Sequence, residues 1–206
     1  MVHASELMRY ENELMAQGCR YICGVDEVGR GPLAGPVTCA AVIMPLDDLI
    51  EGVNDSKKVA KKKRERLAEE IRRRAVAYSV VSYDNRRIDE MNILAATKAC
   101  MADAVAALSV TPDVVIVDAL KLDIPVRTVG IVHGDALSYS IAAASIIAKV
   151  ERDAFMAEMD GKYPGYGFAR NAGYGTAEHI AALRNLGPTE IHRRTFIKNF
   201  VGEEKR

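Results

Sequence analysis

The chain has 206 residues, 49% of them apolar, and its 28 basic and 28 acidic side chains cancel. This is enough apolar material for one well-cored domain, which argues against intrinsic disorder. The longest apolar stretches are shorter than a membrane span, and the N-terminus lacks the basic-then-apolar order of a signal peptide. We therefore expect a cytoplasmic protein, monomeric by default, that does not cross a membrane. Its four cysteines form no C-x-x-C pair and are expected to be free and mostly buried.

In chain order, the first half predicts a helix, three strands and one basic helix. A Gly/Pro-rich turn at 29–36 separates the first two strands, so we expect them to pair antiparallel. The predicted elements are a helix at 5–17, strands at 20–27 and 36–44, a helix at 60–75 and a strand at 76–83.

The second half predicts helix–strand repeats and then a helical tail. Its predicted elements are a helix at 91–108, strands at 114–118 and 126–132, a buried helix at 140–159 and a helix at 176–186. The intervening loop, 163–176, is too rich in glycine for a helix or a core strand. Together the two halves indicate an α/β domain around a mixed sheet. We expect residues 1–160 to form the catalytic domain and 161–206 a substrate-binding loop and helical extension packed on it.

Four acidic residues stand where they could gather around a phosphate. Asp26 and Glu27 follow an apolar run, Asp118 ends another, and Asp135 follows Gly134. Clustered carboxylates repel each other and take up protons unless cations intervene. Oxygen ligands without Cys or His at zinc-like spacing favour Mg²⁺ or Mn²⁺ over zinc.

Neighbouring residues of an ideal strand point to opposite faces, so Asp26 and Glu27 cannot both enter one site from a regular strand. We expect a local distortion there, either a strand end at the glycines 29 and 31 or the longer Glu side chain reaching around, and the sequence does not decide between the two. For Asp135, a plain turn before the next helix is the alternative interpretation.

Basic residues concentrate between Lys57 and Arg74, where ten of them face only three acidic residues. Such a surplus can follow a phosphate backbone, but it also fits a solvated helix face with i,i+4 ion pairs. Just before the helix, Asn54, Ser56, Lys57 and Lys58 are candidate phosphate contacts. For Asn54 and Ser56, capping of the helix is the alternative.

Residues 24–36, GVDEVGRGPLAGP, resemble bacterial ribonuclease HII, the type 2 ribonuclease H that acts on RNA embedded in DNA. Further blocks follow in the order of that family and span about residues 20–195. They are NDSKK at 54–58, IDEMNI at 88–93, VD at 117–118, GD at 134–135, AASIIAK at 143–149, YGF at 166–168 and GYGT at 173–176.

The resemblance implies a ribonuclease H-like fold: a mixed five-stranded sheet flanked by helices, with a helical C-terminal extension. It implies that Asp26, Glu27, Asp118 and Asp135 are catalytic and hold two Mg²⁺ or Mn²⁺ ions. Such ions can activate water and stabilise the leaving oxygen. The implied reaction cuts the RNA strand of RNA–DNA hybrids, and DNA 5′ of single ribonucleotides, leaving a 5′-phosphate and a 3′-hydroxyl. The implied roles are ribonucleotide removal and RNA primer processing.

The resemblance also implies that Gly29, Arg30 and Gly31 contact the ribonucleotide 2′-hydroxyl and that Tyr174 packs against the sugar. Glycines let the main chain approach a ligand closely, and sites built to bond a hydroxyl can reject the analogue lacking it by about 10⁴. From the residues alone, a hairpin turn and a loop-anchoring aromatic are the alternatives.

At two places the sequence departs from the family pattern. His133 replaces a frequent Lys, and residues 171–172 (Asn-Ala) replace a frequent His-Lys, which predicts two fewer basic contacts to DNA. His179 and His192 have no metal-ligand spacing and are predicted to be surface or capping residues.

Three other functions compete with this interpretation. A relative could cut long hybrids only, a non-catalytic nucleic-acid-binding protein could use the basic run while the acids serve structure, and a phosphohydrolase could act on small molecules. Four intact carboxylate positions disfavour the second function, and the basic run and glycine–tyrosine loop disfavour the third.

Overall fold

The computed structural model describes residues 4–201 and centres on a five-stranded sheet in the order β3-β2-β1-β4-β5. β1, β2 and β3 pair antiparallel, whereas β4 pairs parallel with both β1 and β5. The strands are β1 (Ile22–Val28), β2 (Val37–Ile43), β3 (Ala77–Tyr83), β4 (Val114–Asp118) and β5 (Thr128–Ile131). The mixed five-stranded sheet and the antiparallel first pair confirm the sequence prediction.

A short 3-10 turn, Ala4–Leu7, precedes the helices. The helices are α1 (Arg9–Ala16), α2 (Lys61–Arg74), α3 (Asn85–Met91), α4 (Ile93–Ala106), α5 (Gly134–Leu137), α6 (Tyr139–Lys162), α7 (Phe168–Asn171), α8 (Ala177–Leu186) and α9 (Arg194–Ile197).

Helices cover both faces of the sheet. Helix α6, backed by α2, packs on one face, and α4 packs on the other. β2 is buried along its whole length and β4 through Val117, which explains why their sequences, apart from Thr38, are apolar instead of alternating.

Helix α6 lies unusually close to β1. A methyl group added at Gly24 would fall 2.1 Å from the carbonyl carbon of Ser140, so the helix backbone rests directly on the strand. The small residues that open α6, Ala142 to Ala144, are all buried. This close approach brings the first turns of α6 to the end of β1.

Two sequence predictions about helices need correction. The predicted helix 91–108 corresponds to α4, which begins two residues later because Asn92 adopts a positive φ of 67° and its side chain accepts bonds from the amides of Leu94 and Ala95. The short helix α3 before it was not predicted. The glycine-rich loop contains one helical turn, α7, which ends at Ala172 in the left-handed region.

The chain after α6 folds back onto the loop that follows β1. The amide of Gly35 donates to Ile191, and the amide of Arg193 donates to Leu33. The predicted boundary at 160 falls two residues before the end of α6, and the division into two parts stays a prediction. In the range 4–201, no helix combines the length and apolar character needed to cross a membrane.

Candidate active site

The four acidic residues come from neighbouring elements. Asp26 and Glu27 lie near the end of β1, Asp118 ends the parallel neighbour β4, and Asp135 lies in the first turn of α5. Each influences the pKa of another: Glu27 and Asp118 act on Asp26, and Asp135 acts on Asp118. The structure therefore brings together the four carboxylates that the sequence predicted to converge.

β1 is not distorted at Asp26 and Glu27, and the expectation of a local distortion was wrong. Its pairing with β2 continues in unbroken register through Glu27 and Val28. By strand alternation Asp26 faces α6 with Gly24, and Glu27 faces α4 with Val25. The pairing of β1 with β4 stops at Val25, so both acids lie beyond the last residue of β1 that pairs with β4. That open edge gives both carboxylates access to Asp118.

Asp26 is buried against the start of α6. Burial and the charge of Glu27 raise its pKa well above the usual value, although hydrogen bonds from Ser145 and from the Glu27 amide oppose that shift. The Ser145 hydroxyl also lies 2.8 Å from that of Ser56. A chain of hydroxyls thus connects Asp26 to the loop before α2.

Glu27 has an unmet bonding capacity. Its Oε1 lies 3.4 Å from Nη1 of Arg30, while its Oε2 is buried without a hydrogen-bond partner. Burial raises its pKa, the Arg30 charge lowers it, and the Asp118 charge raises it again. A buried carboxylate oxygen without a donor is costly unless a cation approaches it.

Asp118 is held by the turn that follows β5. The amide of Gly134 donates to its Oδ1 at 2.8 Å, and this bond partly offsets the rise in pKa that burial causes. Next to it, Nζ of Lys57 lies 3.3 Å from Oδ2 of Asp135. Burial lowers the pKa of Lys57, but the charges of Asp135, Asp55 and Asp26 outweigh that effect and raise it. Lys57 thus supplies positive charge to the acidic site.

Among the described residues, no three His, Cys, Asp or Glu side chains are arranged as they stand to hold a metal ion. Lys57 engages Asp135, and Asp26 and Glu27 leave the strand on opposite faces. The donor set nevertheless fits a hard divalent cation. It consists of carboxylate oxygens, one of them buried without a partner, and burial, together with repulsion between neighbouring carboxylates, raises the pKa of three of the carboxyls.

Two buried arginines donate hydrogen bonds to the backbone of the turn after β1. Neither of them was identified from the sequence as part of the site. Arg193 is fully buried and donates to the carbonyls of Gly29, Arg30, Gly35 and Pro36. Arg152, also fully buried, donates to the carbonyls of Ala34, Pro36 and Ala172. Burial lowers the pKa of Arg193 to about 9 and that of Arg152 to about 10. These guanidinium groups fix the backbone of the 29–36 turn.

The Gly29–Arg30–Gly31 turn and Tyr174 lie side by side. A methyl group added at Gly31 would lie 3.5 Å from Cε1 of Tyr174. The two loops also join through backbone, since the amide of Leu33 donates to the carbonyl of Gly173 at 2.8 Å. Arg30 and Tyr174 are exposed. One surface therefore presents both candidate ribose contacts.

The loop before α2 differs in part from its prediction. Ser56 is only 3% exposed and bonds to Ser145, so as a direct phosphate contact it is not supported. The helix-capping alternative was wrong for Asn54 and Ser56, because α2 begins after Ala60 without a side-chain cap. Asn54 accepts from the Asp55 amide. Lys57 and Lys58 are exposed.

The sequence predicted that His179 and His192 are surface or capping residues, and that prediction was wrong. Both are fully buried, and their Nε2 atoms lie 3.0 Å apart. Asn171 also faces inward: its side chain donates to the Tyr166 carbonyl and accepts from the Gly173 amide. The expectation of two fewer basic contacts to DNA, at 133 and at 171–172, stays a prediction.

Comparison with known proteins gives a consistent result. The sequence model of the family described as ribonuclease HII matches residues 23–199. The ribonuclease HII of Ruminiclostridium cellulolyticum is 50% identical over 202 residues, which cover 98% of this chain and 79% of that protein.

Two solved structures have a similar fold. The Archaeoglobus fulgidus ribonuclease HII, determined in complex with PCNA, superposes with a TM-score of 0.72 at 28% identity, covering 85% of this chain and 94% of that one. The ribonuclease H2 of Pyrococcus horikoshii gives 0.71 at 27% identity, covering 85% and 93%. The expected ribonuclease H-like fold is confirmed.

Proposed function

We propose how the residues of this site divide the work of catalysis, on the premise that the chain belongs to the ribonuclease HII family. The protein is accordingly a ribonuclease H, an endonuclease of a divalent-metal-dependent family that acts on RNA–DNA hybrids. The non-catalytic alternative is not favoured.

In this proposal Asp26, Glu27, Asp118 and Asp135 hold two divalent ions, Mg²⁺ or Mn²⁺. The support is electrostatic: burial and mutual repulsion raise the pKa of the first three, and one buried oxygen of Glu27 has no hydrogen-bond partner. Divalent ions bound there would supply positive charge to the entering and leaving oxygens of a phosphodiester. The carboxylates would orient that charge, and Lys57, whose Nζ lies 3.3 Å from Oδ2 of Asp135, adds positive charge beside them.

Recognition of the ribonucleotide falls to the turn after β1 and to Tyr174. Gly29, Arg30 and Gly31 are proposed to meet the sugar hydroxyl. Gly31 leaves the backbone open next to the Tyr174 ring, whereas Gly29 is buried against Arg152. A buried group that is left unpaired by a deoxyribose costs about 1 to 3 kcal/mol, so the 2′-hydroxyl can decide binding. The enzyme then cuts 5′ of a single ribonucleotide in duplex DNA and leaves a 5′-phosphate and a 3′-hydroxyl.

Phosphate contacts are proposed for the exposed side chains of Lys57 and Lys58, with Asn54 beside them. Ser56 supports this loop from inside through Ser145. The basic residues of α2 divide between two uses. Arg64 and Arg72 form ion pairs with α6 and so help to pack the helix, while Lys61 to Lys63 are exposed and face solvent.

We also propose that the protein acts as a monomer in the cytoplasm, in ribonucleotide removal and RNA primer processing. Its four cysteines are free, which agrees with a reducing compartment. The division into a catalytic part, 1–160, and a substrate-binding extension, 161–206, is part of the same proposal. Residues 202–206 lie outside the described range.

The observation that carries the proposal is the meeting of four carboxylates beside a glycine-flanked turn and an exposed tyrosine. The test is cleavage of a DNA duplex that contains one ribonucleotide, with and without a chelator, with the cut mapped to one bond. We expect chelator-sensitive cleavage on the 5′ side of the ribonucleotide.

Asp118→Asn should bind the duplex but not cut it, because it loses a charge at the centre of the site. Glu13→Gln is the matched control, since Glu13 is an exposed carboxylate whose ion-pair partner is the exposed Arg9. Unchanged turnover in Asp118→Asn, or cleavage that resists the chelator, would refute the metal assignment.

A further inference from the structure

The buried histidines form a pair beneath the Tyr174 loop. His179 lies in α8, His192 precedes α9, and their Nε2 atoms are 3.0 Å apart. Tyr166 and Phe168 enclose them, with ring centroids 5.3 to 6.3 Å from that of His179. Neither histidine belongs to the carboxylate site, so the catalytic proposal leaves the pair without a role.

The hydrogen bonds around the pair admit one placement of protons. The backbone amide of Thr189 donates to Nδ1 of His192 at 2.9 Å, so that nitrogen is an acceptor. A neutral His192 then carries its proton on Nε2 and donates to Nε2 of His179. His179 must carry its own proton on Nδ1, which donates to the carbonyl of Tyr174 at 2.9 Å. The direction of each bond follows from the one before it.

The chain of bonds therefore ends on the main chain of the candidate ribose contact. The amide of Tyr174 donates to the Asn171 carbonyl, and its carbonyl also accepts from the Thr176 amide. Its backbone is thus held on both sides, whereas its side chain is 45% exposed beside Gly31. Fixing the backbone limits the directions that the exposed ring can take.

We propose that His179 and His192 are positioning residues that hold Tyr174 in the orientation needed to meet the sugar of a ribonucleotide. The inference rests on the proposed function of Tyr174 as a substrate contact. His192 fixes the tautomer of His179, and His179 fixes the peptide of Tyr174. A second buried donor in place of either acceptor nitrogen would break this order, because two N–H groups cannot bond to each other.

The test compares two substitutions of His179 that differ in one property. His179→Phe keeps an aromatic ring and removes the donor to the Tyr174 carbonyl. His179→Asn keeps an N–H donor close to the Nδ1 position. Each is made alone and together with Tyr174→Ala, and KM and kcat are measured on a duplex with one ribonucleotide, with thermal unfolding as the check on folding.

We expect His179→Phe to raise KM about 5- to 10-fold, a partial loss of an aromatic contact to a nucleotide, with kcat changed by less than about 2-fold. His179→Asn should restore most of the KM. In the Tyr174→Ala background, His179→Phe should add less than about 2-fold, because the group it positions is gone.

A merely structural role predicts a different pattern. An equal rise in KM with and without Tyr174 would overturn the inference, as would no rise in folded His179→Phe or no rescue by His179→Asn. The proposed function fails separately: if Tyr174→Ala alone leaves KM unchanged, Tyr174 is not a substrate contact, and the positioning inference falls with it.

Nitrogen-15 spectra of the histidine rings in the unmodified protein test the bond order without any variant, so the inference can be overturned even if His179→Phe does not fold. The expected tautomers are Nδ1-protonated His179 and Nε2-protonated His192. The reverse assignment for either ring would overturn the inference.

Discussion

Gly24→Ala tests how tightly the site depends on the approach of α6 to β1. The added methyl group would lie 2.1 Å from the carbonyl carbon of Ser140 and 2.5 Å from the amide nitrogen of Ile141, whereas ordinary contacts begin at 3.4 Å. Because backbone atoms cannot rotate away, the helix must retreat by the difference, about 1.3 Å.

Overpacking a core typically costs about 1 to 3 kcal/mol, and a clash with backbone belongs at the upper end. For a chain of this length, a loss of about 3 kcal/mol lowers Tm by about 6 to 12 °C. The retreat also moves Ser145 away from Asp26, so kcat should fall in the fraction that stays folded.

Thermal unfolding followed by circular dichroism measures the first effect, and single-ribonucleotide cleavage measures the second. Gly161→Ala is the matched control. Gly161 lies in α6, the helix that Gly24 contacts, and an added methyl group there meets nothing within 4 Å. It should gain about 0.5 to 1 kcal/mol from helix propensity. If Gly24→Ala unfolds at the same temperature as the unmodified protein, or above it, the described helix–strand contact is wrong.

Three further predictions follow from the buried charges. Arg193→Lys keeps a positive charge but loses the planar fork that reaches four carbonyls. Leaving about two of them unpaired should cost about 2 to 6 kcal/mol, and an unchanged Tm would contradict this. Burial, with smaller effects of the charges of His179 and Arg194, lowers the pKa of His192 from 6.5 to about 4. The unfolded chain therefore takes up that proton first, and the free energy of unfolding should fall by about 3 kcal/mol between pH 6.5 and about 4. The free energy of unfolding is measured with urea at each pH in the unmodified protein and in His192→Gln, and the fall is the change in the difference between them. The comparison is needed because carboxyls with raised pKa values act in the opposite direction. If the two free energies change in parallel with pH, the prediction is wrong. Finally, Mg²⁺ or Mn²⁺ at 100 times its Kd should stabilise the protein by about 2.7 kcal/mol, and Asp118→Asn should lose at least half of the Tm shift, so an equal shift in both proteins would count against the carboxylate site.

The strands and the four acids could be predicted from the sequence because their signals are local. β4 is an apolar run that ends in Asp118, and such a run is typical of a strand that is buried on both faces in a parallel sheet. The same reasoning found α4 but missed α3, the short helix before it. Nothing in the helical period reveals that Asn92 turns the chain at a positive φ and caps the next helix with its side chain.

The supports of the site could not be predicted, because they depend on contacts between distant parts of the chain. Arg193 bonds to carbonyls 157 to 164 residues away, yet in the sequence it is one of two adjacent arginines before a short helix. The histidine pair could not be predicted for the same reason, because the two residues are 13 positions apart in a tail whose apolar residues follow no regular period. Ser145 lay within a recognised motif, but its bonds to Asp26 and Ser56 required the fold.

Arg152 binds the carbonyls of Ala34 and Pro36 on one loop and that of Ala172 on the other. A single side chain thus anchors both segments that are proposed to meet the ribose. Neither can shift without straining the other, so the two would have to be exchanged jointly in any chimera with a relative. To alter the sugar preference, both loops would have to be redesigned together with Arg152. If the Tyr174 loop alone were grafted, its backbone would not match the hydrogen bonds that Arg152 donates.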